Sequence, residues 1–351
     1  NRVFKDKVNG LIVDYVGIFR HLEKALSIYG EPGGDIDTPV KHKDELKSEF
    51  IASVEKVREK LFNAREKRPH PLKDTKVLAD WNGLMIASLA YAARVFDSNE
   101  YLAAAEKAAD FVLNEMTGKD GRMFHRWRES HLAYDGQLDD YAFMIQAFLE
   151  LYESSFKLAY LKNALELNSI LMEHFYDVEN GGFYMTPDYG EELLIRPKEF
   201  FGGAAPAGNA VMIMNLIKLS GITGDSKLLD AARETVRSCA VMLNRSPSEF
   251  ADVVSSLTML AGETCEIVIA GKHEDAETMR IIQAVKTLYL PGRTVLLRTP
   301  AVESELAQIA PFSKDQVMID DKPTVHICRN GSCEKPLVGL DEVLSHQLFR
   351  S

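Results

Sequence analysis

Cysteine is scarce, and long apolar runs, basic clusters and phosphate-binding motifs are missing. Four cysteines in 351 residues are too few for a disulfide framework to hold a chain of this size. Only Cys328 and Cys333 stand close together, in VHICRNGSCEKP. That spacing suits half of a zinc knuckle, but no second pair exists; structural or incidental thiols are the plainer reading, a metal or redox role the other. No apolar run approaches the roughly 18–20 residues of a membrane span, and no charged n-region with an apolar h-region opens the chain at Asn1. The expected location is therefore the cytoplasm. A start on Asn also suggests a trimmed chain, or one whose upstream part is absent. The net charge is −11 with basic residues scattered, which argues against nucleic acid or an anionic membrane as partner. The GxGxxG and GxxxxGK[ST] fingerprints are absent, so a nucleotide-binding reading has little support. No cofactor and no metal is expected; a neutral, polar small molecule suits the surface better.

With 46% hydrophobic and 26% charged residues, the chain has enough material for one large domain or two ordinary ones. Its main signal is a repeat of helix pairs. Residues 82–96 (NGLMIASLAYAARVF) are apolar nearly all round and predict a covered helix; residues 101–116 carry one apolar stripe and one wet face, predicting an outer helix. The same alternation recurs with inner 136–153 and outer 159–175, then inner 207–219 and outer 227–243. GRMFHRW at 121–127 and GGFYMTP at 181–187 follow two outer helices, 60 residues apart, as equivalent extended excursions. Alternating buried and amphipathic helices fit hairpins set in a ring. Upstream, Val8 to Tyr29 has helical character, 31–39 (EPGGDIDTP) reads as a loop, and Lys41 to Lys67 as a charged amphipathic helix. A helix is expected near 248–262. Beyond it the period changes: 265–271, 293–299 and 323–329 read as buried strands, with a helix from Asp275 to Leu288 between the first two and a terminal helix from Leu340 to Phe349.

Each inner helix begins with polar residues: Asp80, Trp81 and Asn82; Gln137, Asp139 and Asp140; and Asn209, with Arg196 and Glu199 in the loop before it. Helices running the same way round one axis would gather these at a single rim. Asp80, Asp139, Asp140 and Glu199 are then the candidate acids and bases. Trp81, Asn82, Gln137, Tyr141, Tyr184, Arg196 and Asn209 are the candidate substrate contacts, with Trp81, Tyr141, Phe183 and Tyr184 stacking on an apolar sugar face. Each has a plainer reading. Asp80 or Asn82 serves as an N-cap, and Asp139 and Asp140 in a first turn favour the helix dipole. Adjacent helical carboxylates point about 100° apart, so Asp139 and Asp140 do not form a dyad by adjacency alone. His125 and Arg126 could carry a proton and clamp an anion, but a loop histidine is more often a surface or packing residue. His174 reads as a charge complement at a helix C-terminus.

ADWNGLMIASLA at 79–90, LDDYAFMIQAFLELYE at 138–153, GGFYMT at 181–186, RPKEFFGGAAPAGNAVM at 196–212, LYLPGRTVLL at 288–297 and VHICRNGSCEKP at 325–336 resemble the thioredoxin-domain-containing family of the spermatogenesis-associated protein 20 and bacterial YyaL type. The resemblance runs from about Lys60 onward. It implies an α/α-toroid similar to the six-hairpin glycosidases, preceded in that family by a thioredoxin-like domain that is missing here. The expected fold is mainly α: a toroid of helical hairpins, three of them clear, with a small C-terminal α/β element. The expected division is 1–75, a helical segment packing on the toroid; 76–262, the hairpins; and 263–351, the α/β element. Two functions compete. One is a carbohydrate-active enzyme, hydrolase or epimerase/isomerase, with a central pocket. The other is a non-catalytic glycan-binding or scaffold module that partners the missing thioredoxin-like domain.

Overall fold

The computed structural model describes residues 43–290 and 292–349. The chain divides between Asp74 and Thr75. In the first unit the described helix is α1 (Lys43–Glu66), at the place its opposed charges predict. Its ion pairs, such as Arg58 with Glu55 at 3.6 Å, are exposed and contribute little. The helical segment expected over 8–29 and the loop at 31–39 lie outside the described residues.

The second unit begins with the two-residue strand β1 (Val77–Leu78) and then three helical hairpins. These are α2 (Ala79–Phe96) with α3 (Asn99–Glu115), α4 (Leu138–Ser155) with α5 (Leu158–His174), and α6 (Gly208–Thr223) with α7 (Ser226–Ser238). Helix α4 packs between α2 and α6, while α3, α5 and α7 each lie against their own partner. The inner and outer layers follow from the residues: α4 is buried from Leu138 through Ser154 with few breaks, whereas α3 buries only Ala105, Ala109 and Val112. The α2–α4 contact is close enough that a Cβ on Gly83 would lie 2.8 Å from the Phe143 carbonyl carbon. Small residues Ala79, Ala87 and Ala90 extend that close approach along α2. This is the hairpin arrangement of an α/α-toroid, with a small sheet at its C-terminal end.

The third outer helix is shorter than its pattern predicts. Residues 227–243 do not form one helix: α7 stops at Cys239, and α8 (Ala240–Arg245) restarts beyond it. The Ser238 hydroxyl and Cys239 thiol each bond back to a carbonyl three residues earlier, Thr235 and Val236, which tightens the last turn and competes with helix continuation. A short 3-10 turn opened by Pro247 then leads into α9 (Ala251–Ala261), which packs on α6.

The C-terminal element runs β4 (Cys265–Ala270), α10 (Ala276–Lys286), β5 (Arg293–Arg298), α11 (Glu303–Ile309), β6 (Thr324–Arg329), β7 (Ser332–Cys333), β8 (Leu337–Val338) and α12 (Gly339–Ser345). Strands β4 and β5 are parallel, the β-α-β unit expected; β6 joins β4 antiparallel, giving the order β5-β4-β6-β7, with β8 also on β6. One sheet face, with Val268 and Leu296, belongs to the hairpin core; the other, with Ile267, Ile269, Val295 and Ile327, packs under α10 and α12. Asn330 and Gly331, both at positive φ, make the two-residue turn between β6 and β7. That register sets Cys328 opposite Cys333, and the two are joined as a disulfide. The zinc-knuckle reading of this pair therefore gives way to a cross-strand staple. Among the described residues no helix is long and apolar enough to cross a membrane.

Candidate functional site

The loops that follow α3 and α5 share one construction. Thr117 bridges to Met123, and Tyr176 bridges to Phe183. Beyond the first bridge, β2 (Phe124–Arg128) pairs with β1 on one side and β3 (His131–Asp135) on the other. Pairing of Leu78 with Arg126 brings the start of α2 beside the strand, so His125 arrives next to the first turns of α2 and α4.

Asp140 organises this corner. Its carboxylate is wholly buried. Oδ2 accepts from the Gln137 amide at 2.8 Å, and Oδ1 accepts from the Asp80 amide at 2.9 Å, so one side chain caps its own helix and the start of the neighbouring one. His125 Nδ1 lies 3.1 Å from both oxygens. The hydrogen bond to Asp140 raises the imidazole pKa against the pull of burial. Asp80, half-buried, has its carboxyl raised by burial and then by Asp140. Asp139 is pushed up to about 6, first by burial and then by Asp140 and Asp80. Its Oδ1 is buried hard against the opening of α6, where a Cβ on Gly208 would sit 2.3 Å from it, and the Gly208 amide pulls the pKa part of the way back.

Asp80, Asp139 and Asp140 thus come together with His125, which the sequence alone ranked as an ordinary loop residue. Glu199 is exposed and reaches this group only through its charge on Asp139. Trp81 is 65% exposed beside the cluster and shares a recess with Leu84, Met85, Ser88 and Ala205. Gln137 is exposed with its amide tied to Asp140.

The remaining expected contacts are engaged in holding the loops. Tyr141 is fully buried, tilted against Phe175, and its hydroxyl accepts from the Met123 amide; Phe183 is equally buried. Neither ring can stack on a ligand, because each fills the core under its bridge. Asn209 is buried and latches Phe183 from both sides, accepting from its amide at 2.8 Å and donating to its carbonyl at 2.9 Å, with a further bond to the Glu199 carbonyl. Arg196 donates to the Thr186 and His174 carbonyls and stacks on Tyr184. The Tyr184 hydroxyl donates to Asp177, which also takes Lys198 at 2.6 Å. Helix α2 begins after Leu78, so neither Asp80 nor Asn82 is its N-cap; Asn82 instead donates to the Leu78 carbonyl. His174 holds Asp188 at 2.8 Å as well as ending α5.

Asp80, His125 and Asp140 each offer a ligand atom within 4.8 Å of the others, a spacing open to a divalent ion. Both Asp140 oxygens, however, already accept from backbone amides, and His125 Nδ1 faces them directly. The donor set fits a shared proton better than a shared metal.

The raised carboxyls set a pH dependence of stability. A carboxyl whose folded pKa lies above its unfolded value contributes most below the unfolded value, 3.8 for Asp139, and loses that contribution as pH rises through about 6. Asp80 and His125 act in the same direction. Asp139→Asn is therefore expected to flatten the decline in melting temperature between about pH 4 and 6, a difference on the order of 2 kcal/mol. Parallel wild-type and mutant profiles across that window would contradict the burial of the Asp139 carboxyl.

No protein-family model matches the chain. It is 30% identical over 330 residues to human spermatogenesis-associated protein 20, an alignment covering 88% of this chain and 42% of that protein. Among solved structures it is similar to a GH76 α-mannanase from Bacteroides thetaiotaomicron, at 19% identity and TM-score 0.45 over 62% of this chain and 58% of that one. It is also similar to cellobiose 2-epimerase from Bacillus thermoamylovorans, at 12% identity and TM-score 0.45 over 62% of each. Structural likeness of this extent does not transmit an activity. The chain spans less than half the length of the curated relatives it matches, and over most of its own length it is a homologue of spermatogenesis-associated protein 20.

Proposed function

We propose that Asp80, His125, Asp139 and Asp140 form an acid–base centre acting on a hydroxyl-bearing small molecule of the carbohydrate class. The observation that carries this reading is the imidazole of His125 held on buried Asp140 beside two carboxyls with raised pKa. Asp140 fixes Nδ1, leaving Nε2 as the nitrogen available for proton exchange. Asp139, near 6, supplies a group that is populated in both protonation states close to neutrality. Perturbed carboxyls beside a histidine are a recurrent property of proton-transfer sites. Trp81 offers an exposed ring for the apolar face of a sugar. Either hydrolysis or isomerisation is compatible with such a centre.

One observation favours the alternative, a non-catalytic glycan-binding or scaffold module that partners a thioredoxin-like domain: both Asp140 oxygens are engaged by main-chain amides, a structural duty sufficient to explain that residue. A single experiment separates the two. Melting temperature is measured with monosaccharides, disaccharides and amino sugars for the wild type, Trp81→Ala and Asp139→Asn, followed by product analysis with any sugar that shifts it. The acid–base reading expects a sugar-specific shift weakened by Trp81→Ala, and turnover that Asp139→Asn lowers by about 10²–10⁴-fold. A shift without turnover selects the binding module. No shift with any sugar rejects the carbohydrate class.

A further inference from the structure

The opposite end of the inner helices holds a second constellation, separate from the acid–base cluster. Arg94 lies fourteen positions along α2 from Asp80, about 21 Å at the rise of an α-helix. A cavity of about 450 Å³ opens there, walled by Leu149, Met214, Met259 and Leu290 and bordered by the exposed rings of Tyr91 and Tyr289. That is the size and lining of a small-molecule site.

Its charges do not balance. Arg94, Lys218, Lys286 and Arg293 line it with Glu150 and Glu153, four cations against two carboxylates, a surplus of two positive charges. Glu150 is shared between Arg94 at 2.8 Å and Lys218 at 2.7 Å, and Glu153 sits 3.1 Å from Arg94 and 3.4 Å from Lys218. Those four groups pair with one another, although the Arg94 Nη1 makes no hydrogen bond. Arg293 and Lys286 are the remainder. Arg293 is 7% exposed, stands 3.8 Å from Glu153, gives one Nη to the Leu288 carbonyl, and has its buried Nε without a hydrogen-bond partner. The Lys286 ammonium donates to the Ser154 carbonyl. Glu153 is already shared among Arg94, Lys218 and Arg293, and Asp97 acts on Lys286 through its charge; a buried cation with only part of a counter-charge is costly, and both of these border the cavity.

We propose that this cavity binds a phosphate monoester, its dianionic head against Arg293 and Lys286 and its apolar body along Leu149, Met214 and Met259. A phosphate monoester carries nearly two negative charges at neutral pH, matching the surplus, and a guanidinium and an ammonium lining one cavity suit phosphate oxygens. The apolar wall selects for a hydrophobic or aromatic ester over inorganic phosphate.

Calorimetric titration of the whole chain with inorganic phosphate, phenyl phosphate, phenol and succinate tests this, with Lys286→Gln and Arg293→Gln alongside. The expected result is saturable binding of phenyl phosphate, tighter than inorganic phosphate, with phenol silent and Lys286→Gln weakening it by about tenfold or more. If Arg293→Gln fails to fold, judged by circular dichroism, the half-buried Lys286 variant decides alone. Absence of saturable phenyl phosphate binding at millimolar concentration overturns the proposal. So does equal affinity in Lys286→Gln, and so does binding of succinate in preference to both phosphates.

Discussion

Replacing Arg94 with methionine is expected to lower the free energy of unfolding by about 3–5 kcal/mol, the usual cost of breaking a buried ion pair from one side. Arg94 is 6% exposed and joins Glu150 and Glu153, which also share Lys218. Methionine fills the space of the aliphatic stem but leaves the two buried carboxylates to Lys218, with Arg293 3.8 Å from Glu153. Burial pushes the Glu150 carboxyl up, yet Lys218 and Arg94 together outweigh it and hold the group down at about 2. A depressed carboxyl contributes stability above its unfolded value of 4.5 and loses it as pH falls through the folded value. Removing Arg94 should therefore also move the acid-unfolding limb to higher pH. Urea denaturation at neutral pH reads the first effect and an acid titration the second. A loss below about 1 kcal/mol would mean that the ion pairs are no better than surface pairs. The double variant Arg94→Met with Glu150→Met should recover part of the loss, since a matched apolar replacement of a buried pair is often neutral.

Asp140→Ala should be nearly as damaging, for a different reason. It leaves the Asp80 and Gln137 amides without their acceptor and frees His125. Two fully buried orphaned donors would cost about 2–6 kcal/mol, and because these amides are only part-buried the loss is expected towards the lower end of that range. Asp140→Asn keeps one acceptor oxygen and should cost less. NMR titration of the His125 ring gives an independent reading: its pKa should fall towards the ordinary imidazole value in both variants, because the partner that raises it has lost its charge. A His125 titration unchanged in Asp140→Asn would remove the dyad from the acid–base proposal, whatever happened to stability.

The hairpins were legible because their signal is local and periodic. The near-continuous burial of α4 and the striped α3 can be read from residue type alone, as can the parallel β4–β5 pair. What was hidden depended on residues brought together from distant segments. His125 looks ordinary by itself; its significance comes from a carboxylate fifteen residues away, at the start of the next hairpin. Arg94 reads as an interruption in an apolar run, yet its partners lie 56 and more residues downstream on α4. Aromatic residues misled in the opposite direction. Tyr141 and Phe183 stand where ligand-stacking rings would stand, but the bridges Thr117–Met123 and Tyr176–Phe183 fold over them and turn them into core. The GRMFHRW and GGFYMTP repeat did contain the warning: equivalent excursions need equivalent buried anchors, and Met123 and Phe183 are those anchors.

The C-terminal sheet also bears on the order in which the molecule assembles. Its central strand, β4, has one neighbour that ends at Arg298 and another that ends only at Arg329. Each hairpin closes over short sequence separations and forms early, but the pairing of Cys265 with Arg329 must first close a long loop. Val268, Leu296 and the Leu297 amide that binds the Tyr152 hydroxyl lie on β4 and β5, which pair over a short separation, so β6 alone waits for the longer closure. Strand β6 is then the late clasp of the sheet, and a nascent chain that has not reached residue 324 lacks it.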